Sequence, residues 1–162
     1  LYGVSPFKAE VEASLNDSAL SFLKDLQPAM EIKSQVVYFK VIKGGTGVSY
    51  GHSWKAPTDT RIVTVPIGYG DGLPRSISNK GSVIIKGKKY PIVGNVCMDQ
   101  LLVNLGPDGE AYNGDEVIFV GQGTGDSGSE KISIHDLASW AGTIPHEILV
   151  SFNERLPRVY KS

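Results

Sequence analysis

The chain has 162 residues, a formal net charge of −1, 41% hydrophobic residues and 20% charged residues, which predicts one globular domain with its own core. The near-zero net charge argues against a nucleic-acid partner, and no window approaches the roughly 20 apolar residues that cross a bilayer, so we expect no membrane partner. The single cysteine, Cys97, excludes an internal disulfide and a thiolate metal cluster, and fits a cytoplasmic protein.

Residues 1–29 predict a connector that precedes the main domain. The chain opens without a methionine, on Leu1-Tyr2-Gly3-Val4-Ser5-Pro6, a pattern typical of a strand end that runs into a turn. Residues 8–26 contain Ala, Leu, Glu and Lys but no sustained apolar face, which predicts isolated helical turns. We therefore expect a fragment of a longer protein, with a connector at residues 1–29 and a main domain at residues 30–162.

From Met30 onward the pattern is that of short β-strands. Residues 35–42 are rich in β-branched and aromatic side chains and stop before Gly44-Gly45, which predicts one strand. Similar runs bounded by turn residues predict further strands at residues 61–67, 82–85, 89–93, 100–105 and 116–120. Lys86-Gly87-Lys88 predicts a tight hairpin between two of them. Evenly spaced short strands predict a mainly β fold, an antiparallel barrel or sandwich.

The last quarter of the chain predicts two short helices. Ser133 and Asp136 have the spacing of an N-terminal capping box, and Gly142 is placed to end the first helix. Pro145 is placed at the start of the second helix. The apolar residues at helical spacing are Ile134, Leu137, Ala138, Ala141, Ile148, Leu149 and Phe152. Residues 121–129, with four glycines, predict a flexible surface loop, and residues 156–160 an extended tail.

Tyr50 is the first candidate catalytic residue. It lies in Thr46-Gly47-Val48-Ser49-Tyr50-Gly51, and no residue beside it could complete an active site. A phenol has a pKa of about 10, so it acts as a base near neutral pH only if neighbouring cations or hydrogen-bond donors favour the phenolate. Taken alone, Tyr50 is better explained as an aromatic residue at the end of a barrel.

The other candidate groups have structural explanations that outweigh the catalytic ones. Asp71 and Asp99 could act as an acid/base pair, but carboxylates in such turns are more often hydrogen-bond acceptors. Cys97 could be a nucleophile, yet an unpaired cysteine after an apolar run is usually a small buried hydrophobe. The three histidines lie far apart and no metal-ligand spacing occurs, so we predict no metal site.

Four sequence blocks together have a specific pattern. They are Val48-Ser49-Tyr50-Gly51, then Pro66-Ile67-Gly68-Tyr69-Gly70-Asp71-Gly72-Leu73-Pro74-Arg75, then Val93-Gly94-Asn95-Val96-Cys97-Met98-Asp99-Gln100, and last Leu156-Pro157-Arg158. In order and spacing they resemble the C-terminal domain of the alanine racemase family. The resemblance covers essentially the whole chain, and the opening residues resemble the exit from that family's last barrel strand.

The resemblance implies a two-domain pyridoxal phosphate enzyme of fold type III. Its N-terminal (β/α)8 barrel holds the cofactor on a lysine, and its C-terminal domain is made mainly of strands. Head-to-tail homodimers place the C-terminal domain of one subunit against the barrel of the partner subunit. The implied activity interconverts L-alanine and D-alanine for the supply of peptidoglycan precursors. This chain would be the second domain only, and we expect it to be inactive and to bind the cofactor poorly by itself.

The match also implies roles for individual residues. Tyr50 is similar to the acid/base that serves the L face of alanine, while the lysine of the barrel serves the D face, and a histidine and an arginine of the barrel tune the tyrosine. Met98 is similar to a residue whose backbone N–H helps to hold the substrate carboxylate. Tyr69 and Arg75 resemble residues at the active-site entrance, where a cation can steer a carboxylate substrate. For Arg75 a solvated surface charge remains the alternative, and Arg158 is assigned a structural role.

Two positions depart from the family's pattern. Asn95 stands two residues before the cysteine, where many members have an arginine, so one charge near the entrance is missing. His146 stands where the family often has a tyrosine that reaches the cofactor phosphate. A histidine can still donate a hydrogen bond to phosphate, so His146 is a candidate cofactor-binding residue, with a solvent-facing helix start as the alternative.

Three other functions remain open at this point. A serine-using racemase of the same family would carry the same blocks, because serine adds only a hydroxyl that a pocket cannot easily exclude. A catalytically silent dimerisation domain would use Tyr50 as a packed aromatic. An oligonucleotide-binding β-barrel would need exposed aromatic and basic residues along one face, and the nearest set is Lys86, Lys88, Lys89 and Tyr90.

Overall fold

The computed structural model describes residues 28–125 and 128–160, so nearly all of the predicted connector lies outside the described residues. The strands are β1 (Ile32–Gln35), β2 (Tyr38–Ile42), β3 (Gly47–Val48), β4 (Trp54–Lys55), β5 (Thr60–Val65), β6 (Ser82–Ile85), β7 (Lys88–Val93), β8 (Leu101–Gly106), β9 (Glu116–Gly125) and β10 (Gly128–Ile132). The helices are α1 (Ile134–Ala141) and α2 (Pro145–Ser151). Within the described ranges, short 3-10 turns lie at Tyr50–His52, Tyr69–Asp71 and Arg75–Ile77. The predicted mainly β class is confirmed.

The main sheet is antiparallel, and its two edge strands, β1 and β2, are joined directly by the chain at residues 36 and 37. Its strand order is β1-β9-β6-β7-β8-β5-β2, and β1 and β2 are consecutive in sequence. The N–H of Val36 donates to the carbonyl of Asp115 beside β9, and the next N–H, of Val37, donates to Thr64 in β5. The prediction of one strand over residues 35–42 is therefore wrong, because the chain changes partner strand at these two valines. That change closes the sheet into a barrel.

Side chains alternate between the inside and the outside of this barrel. In β8, Leu101, Val103 and Leu105 are buried, while the residues between them are only half-buried. The main core is formed by such residues from β5 to β9, together with Leu137 of α1 and Ile148 of α2. Burying one aliphatic side chain of this size contributes roughly 1.5–3 kcal/mol. The alternation of apolar and polar residues that predicted the strands therefore places the apolar side chains in the core.

A β-hairpin replaces the flexible loop predicted at residues 121–129. There β9 continues to Gly125 and pairs with β10, from Gly125 opposite Gly128 to Gly121 opposite Ile132. The outward-facing Ile84 of β6 and Ile118 of β9 are buried with Ile132 of β10 in a second cluster. The loop prediction is wrong because these isoleucines need an apolar cover. The glycines serve close packing, since a Cβ on Gly123 would lie 2.5 Å from the Ile84 side chain.

The predicted turn and helix signals are confirmed at their positions. Ser133 caps α1 with a capping box to Asp136, and Gly142 ends it in the left-handed conformation with φ 76°. Lys86 and Gly87 form the tight turn between β6 and β7, with φ values of 50° and 78°. At the end of α2, the Ser151 hydroxyl donates to the carbonyl of Gly72 at 2.7 Å. This bond attaches the helical end of the chain to the turn at Tyr69–Asp71.

Candidate active site

The turn at Tyr50–His52 connects β3 and β4, a small hairpin that lies on the outside of the barrel. Val48 of β3 is buried with Ile62 of β5 and Val93 of β7, both of which point away from the main core. This apolar contact fixes the hairpin to the barrel. The Tyr50 side chain is 74% exposed and its hydroxyl makes no hydrogen bond to any other described residue. The β3–β4 hairpin, which is fixed to the barrel, therefore exposes the Tyr50 side chain to solvent.

A neighbouring loop holds the turn by two reciprocal hydrogen bonds. The Asn95 side-chain amide donates to the carbonyl of Tyr50 at 2.8 Å. The Ser49 hydroxyl donates to the carbonyl of Asn95, also at 2.8 Å. The two segments approach so closely that a Cβ on Gly94, which has φ 77°, would lie 2.5 Å from the Ser49 Cβ. Glycine at position 94 is thus required by both conformation and space.

Met98 lies at the tip of the same loop, between β7 and β8. The loop is closed at its base by a hydrogen bond from the Cys97 N–H to the carbonyl of Gln100, 2.9 Å. The Met98 side chain is 51% exposed. Among the described residues its N–H has no acceptor, whereas its carbonyl accepts from Gly70. The tip thus carries a free backbone donor on a fixed main chain. Cys97 is half-buried in the loop, and its thiol lies 3.5 Å from the Asn95 carbonyl.

The glycine-rich turn at Tyr69–Asp71 packs on the other side of the Met98 loop. Tyr69 N–H donates to the Cys97 carbonyl at 3.0 Å, and Gly70 N–H donates to the Met98 carbonyl at 2.8 Å. A Cβ on Gly68 would lie 2.1 Å from the Cys97 carbonyl oxygen, so no larger residue fits there. Tyr69 itself is 47% exposed. Residues 49–52, 68–72 and 95–100 together form one bonded unit, which we call the platform.

Two carboxylates and one arginine tie the platform to the C-terminal segment. Asp71, only 7% exposed, accepts from the Gly68 N–H at 2.9 Å, as predicted for a turn carboxylate. Its other oxygen lies 3.2 Å from Nε of Arg155, whose Nη2 donates to Asp99. The hydrogen bond with Asp99, followed by the charge of Asp71, raises the pKa of the Arg155 guanidinium above its usual value. This ion pair clamps the Met98 loop and the glycine-rich turn together.

Sequence reasoning missed Arg155 and gave weight to the nearby Arg158. Asp99 and Arg155 are 56 positions apart, so no local spacing connects them. The signal in the sequence was the pair of turn carboxylates, Asp71 and Asp99, to which an arginine can donate. Asn153 was missed for the same reason, although its side-chain amide donates to the Gly70 carbonyl at 2.8 Å.

Two predicted site residues lie outside the platform's hydrogen-bond network. Arg75 is exposed at the start of the turn Arg75–Ile77, and within the described part of the chain its guanidinium has no hydrogen bond or ion pair. His146 is exposed in the first turn of α2, where its imidazole makes no hydrogen bond to another described residue. The platform therefore brings together Tyr50, Met98 and Tyr69, and no described side-chain bond attaches Arg75 or His146 to it.

The chain matches a known family over most of its length. A family model described as the alanine racemase C-terminal domain matches residues 29–160. The chain belongs to this family. An alanine racemase of Halothermothrix orenii is 41% identical to it over 138 residues, which are 85% of this chain and 35% of that protein. This alanine racemase C-terminal domain thus spans about a third of the length of the relatives it matches.

Solved structures have the same fold. The alanine racemase of Bacillus anthracis, with bound L-Ala-P, matches 99% of this chain and 38% of that chain with a TM-score of 0.83 and 35% identity. The alanine racemase of Bartonella henselae, with covalently bound pyridoxal phosphate, matches 84% of this chain and 36% of that chain with a TM-score of 0.76 and 34% identity. The fold of this domain is therefore that of the C-terminal domain of alanine racemases.

In residues 28–125 and 128–160, no three His, Cys, Asp or Glu side chains lie together where they could hold a metal ion. None of the helices in these ranges is long and apolar enough to cross a membrane.

Proposed function

We propose that this domain supplies Tyr50 as an acid/base to the active site of a pyridoxal phosphate-dependent alanine racemase. The observation that carries the proposal is the placement of Tyr50, 74% exposed on a turn whose main chain is bonded to the Met98 loop. An aromatic that packed within this domain would instead be buried. Such a tyrosine is suited to reach a substrate held by another domain.

Racemisation explains why a second domain is needed. A proton leaves one face of the substrate α-carbon and another arrives on the opposite face, so two groups on opposite sides avoid any movement of a single base. The cofactor, when bound, takes up the electron pair left on that carbon. Tyr50 serves the L face, and a lysine of the N-terminal barrel serves the D face. The groups that assist Tyr50 in proton transfer are proposed to belong to the barrel.

The rest of the platform binds the substrate. The free N–H of Met98 donates to the alanine carboxylate, a role that a backbone donor on an exposed loop tip can fill without its side chain. Tyr69, half-exposed beside this loop, limits the size of the substrate. Arg75, exposed and free of other described partners, attracts the carboxylate to the entrance.

His146 is the one residue that we assign to the cofactor. Its exposed imidazole has no other described hydrogen-bond partner and fits the role of a donor to the phosphate of pyridoxal phosphate. This contact is a single hydrogen bond, and the lysine that carries the cofactor is proposed to lie on the barrel. The domain alone therefore binds the cofactor poorly and has no racemase activity.

The working enzyme is proposed to be a cytoplasmic homodimer. Each subunit joins an N-terminal barrel to this domain, and the platform of one subunit covers the barrel of its partner. The product, D-alanine, would serve the synthesis of peptidoglycan precursors. The proposal is supported by relatives that are named alanine racemases and of which the matching part of this chain covers only 35–39%.

Exchange of the α-proton with heavy water tests the role of Tyr50. The enzyme is a fusion of this chain to the barrel of the Halothermothrix orenii relative, and exchange is followed by NMR for L-alanine and D-alanine separately. Tyr50→Phe should slow exchange from L-alanine by at least about a hundredfold, because general acid/base groups contribute about that much or more. Exchange from D-alanine should continue through the lysine of the barrel.

The matched control is Tyr38→Phe, which alters another exposed tyrosine on β2 and should leave both exchanges unchanged. Unaltered L-alanine exchange in Tyr50→Phe would refute the catalytic role and favour the silent domain. L-serine in the same assay separates the two racemase activities, since faster exchange from L-serine than from L-alanine would identify a serine-using enzyme. A cofactor absorbance band from the chain alone would contradict its weak binding of pyridoxal phosphate.

A further inference from the structure

The turn that carries Tyr50 has a main-chain conformation that few residues adopt unaided. Ser49 has φ 61° and ψ 179°, a combination that side-chain-bearing residues rarely populate. Gly51 and His52 also have positive φ, at 68° and 48°. A conformation of this kind persists only where surrounding contacts determine it.

Two of the contacts that hold it involve Asn95, and two more close the turn, in which the His52 N–H donates to the Ser49 carbonyl at 3.2 Å and the Asn79 amide donates to the Ser53 carbonyl at 3.3 Å. Since the Tyr50 side chain is largely exposed, packing does not fix its direction. The turn is instead held by the amide of Asn95 on the Tyr50 carbonyl and by the Ser49 hydroxyl on the Asn95 carbonyl. Asn95 is itself held in place, because it lies between Gly94 and Val96, whose N–H groups donate to the side chains of Asn79 and Ser78 in the segment before β6, at 2.6 and 2.9 Å.

We propose that Asn95 is the positioning residue for Tyr50, its side-chain amide holding the carbonyl of Tyr50 so that the phenol stays directed at the substrate. This inference rests on the proposed function. Asn95 acts through Tyr50 and does not touch the reacting atoms. A shift of the turn would move the phenol away from the α-carbon, and proton transfer requires approach within hydrogen-bond distance.

Loss of the Asn95 hydrogen bond should slow proton exchange at one face of the substrate only. The lysine that serves the D face belongs to the barrel and does not depend on the turn at residues 49–52. A variant that releases the Tyr50 carbonyl should therefore slow exchange from L-alanine and spare exchange from D-alanine. A residue that merely stabilised the domain would change both exchanges equally.

Two substitutions remove the donor in different ways, and both are measured in the fused enzyme. Asn95→Leu is neutral and similar in shape, while Asn95→Asp keeps the size but places an acceptor against the Tyr50 carbonyl. Loss of one hydrogen bond of this kind corresponds to roughly a five- to tenfold change, so both should slow L-alanine exchange by about that factor. The KM for alanine should stay unchanged, because the Met98 donor is not involved.

The control variant is Asn104→Asp in β8. The Asn104 side chain only accepts hydrogen bonds, from the Thr60 hydroxyl and the Gly106 N–H, so a carboxylate can replace it without loss of either bond. It adds the same negative charge and should leave both exchanges unchanged. If Asn95→Leu does not fold, Ser49→Ala removes the reciprocal bond, together with the 3.9 Å contact between the Ser49 hydroxyl and the Cys97 thiol, and should produce a defect that is again on the L face only.

The outcomes separate this inference from the proposed function. If Tyr50→Phe abolishes L-alanine exchange and both Asn95 variants exchange normally, the positioning role is wrong and the catalytic role of Tyr50 stands. A slowing limited to Asn95→Asp would identify an effect of charge and overturn the inference. An equal slowing of both faces in Asn95→Leu would do the same. If Tyr50→Phe exchanges L-alanine normally, the proposed function itself fails.

Discussion

Replacing Gly68 by alanine tests how closely the two loops of the platform are packed. Gly68 has φ −155°, which alanine adopts without strain, so the effect of the change is purely steric. The added Cβ would lie 2.1 Å from the carbonyl oxygen of Cys97 and 2.4 Å from that of Met98. Both contacts are with main-chain atoms, which cannot rotate away, so the loops must separate.

The size of the effect follows from the bonds that this separation breaks. The hydrogen bonds from Tyr69 N–H to Cys97 and from Gly70 N–H to Met98 contribute about 1 kcal/mol each. Overpacking of a tight site adds about 1–3 kcal/mol. Gly68→Ala should therefore lower the free energy of unfolding by about 3–5 kcal/mol and the midpoint of thermal unfolding by roughly 10 °C.

Urea and thermal unfolding of the purified chain, followed by circular dichroism, measure this effect. The matched control is Gly45→Ala, where φ is 82° and no atom lies within 4 Å of the added Cβ, so only backbone strain of about 1–2 kcal/mol applies. Equal losses of stability in the two variants would show that the close approach at Gly68 has no energetic weight. That result would refute the argument for a rigid platform.

Two further predictions concern charged groups. Asp71→Asn should lower the free energy of unfolding by about 1–3 kcal/mol, because Asp71 is buried and an amide has one acceptor oxygen for the two donors that it holds. Asp59 also holds two donors, Lys43 and the Gly44 N–H, but it is exposed, so water can replace a lost bond and Asp59→Asn should change urea unfolding little. At Asp115, partial burial raises the carboxyl pKa, but hydrogen bonds from Lys86 and a main-chain N–H outweigh it and hold that pKa below its usual value. The pair of Lys86 and Asp115 therefore stabilises the fold above the unfolded pKa near 3.8, and this stabilisation is lost as the pH falls below about 4. In Lys86→Met, the free energy of unfolding measured in urea should therefore fall less steeply with decreasing pH. An unchanged pH dependence would contradict the role of this pair.

Local sequence patterns predicted the parts of this fold whose partners lie nearby in the chain. The strand runs at β5 to β8 agree with the structure within two residues at their ends, because alternation of apolar residues is a local property. The capping box at Ser133 and the Lys86-Gly87 turn were predicted because each is formed within four residues. The strands β3 and β4 were missed because two residues carry too little pattern, and β1 was missed because only Ile32 of its four residues is apolar.

The errors occurred where distant segments determine the conformation. Val36 and Val37 look alike in sequence, yet one donates to the segment before β9 and the other to β5, so the strand break depends on both partners. The glycines of residues 121–125 predicted a loop. These residues belong to β9 instead, because β9 and β10 pair there and Ile132 of β10 buries the outward-facing Ile84 and Ile118. Arg155 escaped notice because its carboxylate partners lie in other parts of the chain.

The sequence by itself determined the family, the mainly β class and the presence of an isolated tyrosine, since motif order and side-chain alternation are written along the chain. Only the tertiary structure showed that Tyr50, Met98 and Tyr69 belong to one bonded platform. The platform is built from main-chain hydrogen bonds and from glycines that allow backbones to approach closely, and such contacts leave little local signal. The residues that hold Tyr50 in place, Asn95 above all, are recognised only when the folded chain brings them together.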